Sequence, residues 1–141
     1  MVNLPAQSAQ SIRVFLVEDS AAIRERICSL LAGLDGVDLA GEATTAAAAI
    51  SGILDTHPDA VLLDLHLAQG SGIDVLRTVH PQAPGIVFIV VTNLTNSQYR
   101  ETCIAAGASH FIDKSTEMDH LSPLLAALVA TRRQSSPPLQ A

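Results

Sequence analysis

Short apolar runs and helix-period stretches alternate along nearly the whole chain. Ile12-Arg-Val-Phe-Leu-Val17 has strand character and stops at Glu18 and Asp19. Apolar residues then fall at Ile23, Ile27, Leu30, Leu31 and Leu34, the spacing of one helix face. Ser20 or Asp19 is placed to cap that helix, and Gly33 or Gly36 to end it. Val37 to Ala43 predicts a second, weaker strand. Thr45 to Leu54 predicts a helix with Ile50, Ile53 and Leu54 on one face, closed by His57-Pro58. Ala60-Val-Leu-Leu-Asp64 is apolar until its last residue, as expected of a strand covered on both sides. The glycine-containing loop from Ala68 to Gly72 leads to a short helix around Ile73 to Val79, and Pro81 and Pro84 punctuate the turn after it. Ile86 to Thr92, dominated by β-branched and aromatic residues, is the clearest strand. Ser97 to Ala106 reads as a helix with Gly107 as its C′ residue, and Ser109 to Asp113 as a fifth strand. A last helix runs to about Arg133, with Pro123 in its first turn.

Five strands alternating with five helices predict βαβ units and a parallel sheet. Right-handed crossovers make this a three-layer, doubly wound α/β fold. Ligands of such folds lie beyond the carboxyl ends of the strands. Those ends carry Glu18 and Asp19, then Asp64, Thr92 and Lys114, while the second strand offers only Glu42. If strands one, three, four and five are neighbours, these five residues converge on one rim.

Such a cluster has recognisable chemistry. Adjacent carboxylates repel and call for a cation. A few hard oxygen ligands suit Mg²⁺ better than zinc. An aspartate beside Mg²⁺ can act as a nucleophile toward a phosphoryl group. Mg²⁺ and an ammonium together neutralise the oxygens of that group, and a hydroxyl can donate to one of them.

Composition narrows the context. The 141 residues suit one domain, with 48% hydrophobic residues to fill a core and only 16% charged. A net charge of −6 runs against the basic surface of a nucleic-acid binder, so no direct nucleic-acid binding is expected. No apolar run approaches the ~18 residues of a membrane span, and Met1 to Ser11 lacks the pattern of a signal peptide, so a cytoplasmic location is expected. Cys28 and Cys103 form neither a zinc spacing nor a disulfide framework and read as buried small hydrophobes. Seven of the eight basic residues are arginine; the single lysine is Lys114.

The motifs Val17-Glu18-Asp19-Ser20, Val61-Leu-Leu-Asp64-Leu, Gly72-Ile73-Asp74-Val75-Leu76, Val90-Val91-Thr92 and Phe111-Ile112-Asp113-Lys114 occur in this order at the strand ends. In these motifs the chain resembles the receiver domains of two-component response regulators, over roughly residues 12–133. The resemblance implies a flavodoxin-like (βα)5 receiver fold with strand order 2-1-3-4-5. It implies that Asp64 is the phosphoacceptor and that Glu18, Asp19, Asp64 and the backbone carbonyl of His66 hold Mg²⁺. Thr92 would be the switch hydroxyl, Lys114 the phosphoryl-binding ammonium and Phe111 the rotating aromatic. The implied donors are a histidine kinase or a histidine phosphotransfer protein. The implied output is a changed surface of helix four, strand five and helix five, toward a downstream protein, a missing output domain or a second copy as a homodimer. External substrate turnover is not expected.

Three positions depart from the family pattern. Ala68 stands where proline is frequent, four residues after the phosphoacceptor, and Asn93 follows Thr92 where smaller residues are common. Ser115 replaces the proline that usually follows the lysine in a cis peptide, so Lys114–Ser115 is expected to be trans and to hold Lys114 differently. Two other readings share these residues. One is a non-phosphorylated interaction module on the same fold. The other is a small hydrolase of the haloacid-dehalogenase type, which wants aspartate where His66 stands. His66 would sit at the rim of the site, where its imidazole is expected to influence water access. Residues 1–11 and 134–141 read as flexible flanks, the latter as a tail or a cut linker.

Overall fold

The computed structural model describes residues 11–135, so residues 1–10 of the expected flank 1–11 and residues 136–141 of the expected tail lie outside the described residues. Strands β1 (Ile12–Val17), β2 (Val37–Ala43), β3 (Ala60–Leu63), β4 (Val87–Thr92) and β5 (Ala108–Asp113) form one parallel sheet in the order β2-β1-β3-β4-β5. They alternate with helices α1 (Ala21–Ala32), α2 (Ala46–Thr56), α3 (Gly72–Val79), α4 (Ser97–Ala106) and α5 (Leu121–Ser135). This is the doubly wound α/β architecture, with the strand order 2-1-3-4-5, expected from the sequence.

The period-2 alternation of strand side chains divides the core into two layers. Val14, Leu16, Leu62, Ile89 and Ile112 pack against Ile27 and Leu31 of α1 and Leu121, Leu125 and Val129 of α5. Phe15, Val17, Val61, Leu63, Phe88 and Val90 face the opposite way, onto Ala49 and Ile53 of α2, Val75 and Leu76 of α3, and Cys103 of α4. Continuous apolar strands are therefore required in the middle of the sheet, as their sequences suggested.

Local signals set the element ends. The Ser20 hydroxyl accepts from the Ile23 N–H to start α1, and Thr45 and Asn96 cap α2 and α4 in the same way. Gly107, at φ 118°, ends α4 in the left-handed conformation that glycine adopts at no steric cost. Two features were not visible in the apolar pattern. Ala40 bulges out of the β1–β2 ladder, because Val14 pairs with Leu39 and Phe15 with Gly41. A 3₁₀ turn over Met118–His120 precedes α5, which starts at Leu121 with Pro123 in its first turn as expected and extends two residues past Arg133.

Candidate functional site

Glu18, Asp64 and Lys114 are each held by a continuation of the sheet ladder past the strand they follow, and Thr92 is the last residue of β4. The Glu18 N–H donates to the Ala43 carbonyl, that of Asp64 to Val17, and that of Lys114 to Thr92. The strand order places β1 between β2 and β3, and β4 between β3 and β5, so the four ends meet. Glu18, Asp19, Asp64, His66, Thr92 and Lys114 line one open cavity of about 480 Å³, together with Ser20, Ile23, Asn93 and Leu94. The buried polar or charged residues among the described ones are Glu18, Asp64 and Thr92, and all three belong to this cavity.

Lys114 organises the charges. Its Nζ donates to Glu18 Oε1 and to Asp64 Oδ2, each at 2.7 Å. The second oxygen of each acid is also engaged: Glu18 Oε2 accepts from the Ser20 N–H at 3.0 Å, and Asp64 Oδ1 from the His66 N–H at 3.3 Å. Burial pushes the Glu18 carboxyl above its ordinary range, against the lowering effect of the Lys114 and Ser20 hydrogen bonds. Burial also pulls the Lys114 ammonium down, but its hydrogen bonds to Asp64 and Glu18 outweigh that and raise it overall. The two acids are thus held by a cation that stays protonated, and its hydrogen bond partly offsets the effect of burial on Glu18.

Oxygens of Glu18, Asp19 and Asp64 lie within 4.8 Å of one another, close enough to bind a single cation. This set of hard oxygen donors beside open space fits Mg²⁺. The Thr92 hydroxyl is fully buried and accepts from the Leu94 N–H at 3.2 Å, leaving its own proton free to donate into the cavity. Gly72 sets the position of Asp64 from behind. A Cβ there would collide with the Asp64 carbonyl and stand 2.9 Å from the Leu65 Cα, so only glycine permits this approach.

The sequence reading left several contributors unassigned. Arg24 reaches the Glu18 carbonyl at 3.2 Å and Glu42 at 3.5 Å, tying the acidic turn to β2. Its position one helical turn after Ser20 was a usable signal. Ala68, in place of proline, uses its N–H to donate to the Thr44 carbonyl at 3.2 Å. No peptide bond among the described residues is cis, so Lys114–Ser115 is trans as expected, yet Lys114 still reaches both acids. Phe111 lies apart from the cavity, half-buried on β5, with the Arg100 guanidinium 5.0 Å from its ring centroid. Asn93 and His66 are exposed at the rim. Cys103 is buried as expected, whereas Cys28 is only half-buried; burial raises both thiols above their ordinary value.

Comparison with known proteins places the fold and the sequence in a family. The chain is 31% identical over 103 residues to the DNA-binding transcriptional activator DevR/DosR of Mycobacterium tuberculosis, covering 73% of this chain and 48% of that protein. It is 32% identical over 108 residues to protein-glutamate methylesterase/protein-glutamine glutaminase 3 of Geobacter sulfurreducens, covering 77% of this chain and 29% of that protein. The chain thus spans about half the length, or less, of these two relatives. Among solved structures, a LuxR-family two-component response regulator from Aurantimonas sp. superposes with a TM-score of 0.79 at 28% identity, covering 86% of this chain and 87% of that one. A CheY-like receiver domain protein from Methanospirillum hungatei also reaches 0.79, at 22% identity, covering 89% and 99%. Residues 14–126 match the family described as the response regulator receiver domain, and the chain belongs to that family.

Proposed function

We propose that Asp64 accepts a phosphoryl group from a histidine kinase or a histidine phosphotransfer protein. The observation that carries this reading is the Lys114 ammonium shared between Glu18 and Asp64, 2.7 Å from each, beside Asp19 in an open cavity. A carboxylate oxygen of Asp64 forms the new O–P bond as the N–P bond of the phosphohistidine breaks, and the imidazole takes the leaving electron pair. Glu18, Asp19, Asp64 and the His66 carbonyl would hold Mg²⁺, which supplies charge neutralisation on the phosphoryl oxygens. Lys114 binds a second phosphoryl oxygen, and the Thr92 hydroxyl donates to a third.

Forming the acyl phosphate replaces a carboxylate with a larger, more negative group. Thr92 and Lys114 are then drawn toward it, and both are joined through the β4–β5 ladder to Phe111. The change biases the face formed by α4, β5 and α5, where a protein partner, an output domain or a second copy would read it. Hydrolysis of the acyl phosphate by water restores Asp64, so the chemistry is self-limiting, with no external substrate. The family and the lack, among the described residues, of a helix long and apolar enough to cross a membrane support a cytoplasmic setting. Incubation with Mg²⁺ and acetyl phosphate tests the reading by intact mass. One alkali-labile phosphoryl group is expected on the native chain and none on Asp64→Asn. A native chain that takes up no phosphoryl group from any donor would favour an interaction module instead.

A further inference from the structure

The turn after β5 holds Lys114 without the proline usual in this position. Asp113 and Glu117 close a ring of hydrogen bonds around it. Asp113 Oδ1 accepts from both the Ser115 N–H at 2.8 Å and the Ser115 hydroxyl at 2.6 Å. The Asp113 carbonyl accepts from the N–H groups of Thr116 at 3.3 Å and Glu117 at 2.8 Å. Glu117 returns the contact, its Oε1 accepting from the Asp113 N–H at 2.9 Å. The Asp113 N–H, carbonyl and carboxylate are all committed within one turn, and Lys114 is the residue they enclose.

We propose that Asp113, closed by Glu117, is the positioning residue that fixes the backbone from which Lys114 reaches the phosphoryl site. This rests on reading Lys114 as the phosphoryl-binding cation. Proline would restrict φ at position 115 but has no N–H; here the Ser115 N–H is used, and an Asx-type turn supplies the restriction instead. The hydrogen bonds from Ser115 also hold the Asp113 carboxyl below its ordinary range, so it remains an ionised acceptor at neutral pH. On its other side the Lys114 backbone is pinned to the Thr92 carbonyl at 2.9 Å. With both ends fixed, the side chain is preorganised to span two acids rather than sampling solvent. Phe111, Arg100, Asp113 and Glu117 line one cleft of about 230 Å³, so the clasp lies between the phosphoryl site and the face proposed to carry output.

Because Lys114 is the only lysine in the sequence, lysine labelled with ¹³C and ¹⁵N gives one side-chain ammonium signal that reports this residue directly. In Asp113→Ala that signal should move toward that of a free lysine, and phosphorylation by acetyl phosphate should slow about tenfold. Asp113→Asn retains a carbonyl acceptor and should keep the lysine signal near native, with the rate within roughly threefold. Mg²⁺ affinity, set by other residues, should be unchanged in both variants. A native signal and native rate in Asp113→Ala would overturn the proposal. So would equal impairment of the Ala and Asn variants, because the acceptor survives in one of them. If the native chain takes up no phosphoryl group, the proposed function fails, and the lysine signal alone still decides whether Asp113 holds Lys114.

Discussion

Replacing Lys114 with methionine keeps most of the side-chain volume and removes the charge. The consequence can be worked from the site. The Lys114, Glu18 and Asp64 side chains are 8%, 2% and 6% exposed, so the two 2.7 Å contacts are shielded from water. Breaking a buried pair by removing one partner costs about 3–5 kcal/mol, because a buried charge is left uncompensated. For a domain of this size that corresponds to a fall in Tm of roughly 10–20 °C. Two further signatures distinguish this cause from simple loss of packing. Glu18 is already held above its ordinary value by burial, and loss of Lys114 removes a contact that opposes this. A raised carboxyl binds its proton more tightly in the folded chain, so stability falls as pH rises from the unfolded value through the folded one. The variant's deficit should therefore be largest at neutral pH and shrink toward pH ~5. Mg²⁺ supplies positive charge to the same acids, so it should raise the Tm of Lys114→Met more than that of the native chain. Differential scanning calorimetry at two pH values, with Mg²⁺ and with chelator, measures all three effects. A variant that melts with the native chain at neutral pH, or gains no more from Mg²⁺, would show that Lys114 does not compensate these buried charges.

Gly72→Ala should destabilise by about 1–3 kcal/mol, as overpacking does, and slow phosphorylation as well, because its Cβ displaces the Asp64 backbone. Chemical denaturation and the acetyl phosphate assay check the two effects separately. In Gly52→Ala the new Cβ would stand 2.6 Å from Phe15 Cζ, so a similar loss of about 1–3 kcal/mol is expected, but with Mg²⁺ affinity preserved. Adding Phe15→Leu should recover part of that stability, whereas strict additivity would argue against this contact. His66→Ala should change the rate of phosphoryl loss without abolishing uptake; an unchanged decay rate would remove the imidazole from the account.

The parts of this molecule most legible in its sequence are those fixed by periodicity and by strand ends. The apolar runs marked the strands, though not which side of the sheet Val14 or Phe15 would face, and Glu18, Asp64, Thr92 and Lys114 could be placed by where those runs stopped. What periodicity does not carry is side-chain reach across the sheet. Lys114 and Asp64 are separated by 50 positions, and only the strand order brings them together. Arg24 sits one helical turn after Ser20, but its reach to the Glu18 carbonyl depends on a side-chain path that apolar spacing does not encode. The clasp at Asp113 was hidden for a different reason. Serine at 115 supplies an N–H that proline lacks, and with the aspartate two residues earlier it forms a local turn that apolar patterns do not encode. Phe111 shows the same limit: its strand was clear, but Arg100 stacked over it was not.

Asp64 is the residue proposed to carry the phosphoryl group. An acyl phosphate is reduced by borohydride to an alcohol, which leaves homoserine at the modified aspartate. Borohydride trapping after reaction with acetyl phosphate and Mg²⁺, followed by peptide mapping, should place homoserine at position 64 and should give none when the metal is chelated. Homoserine at another aspartate, or at position 64 in equal yield without metal, would contradict the account.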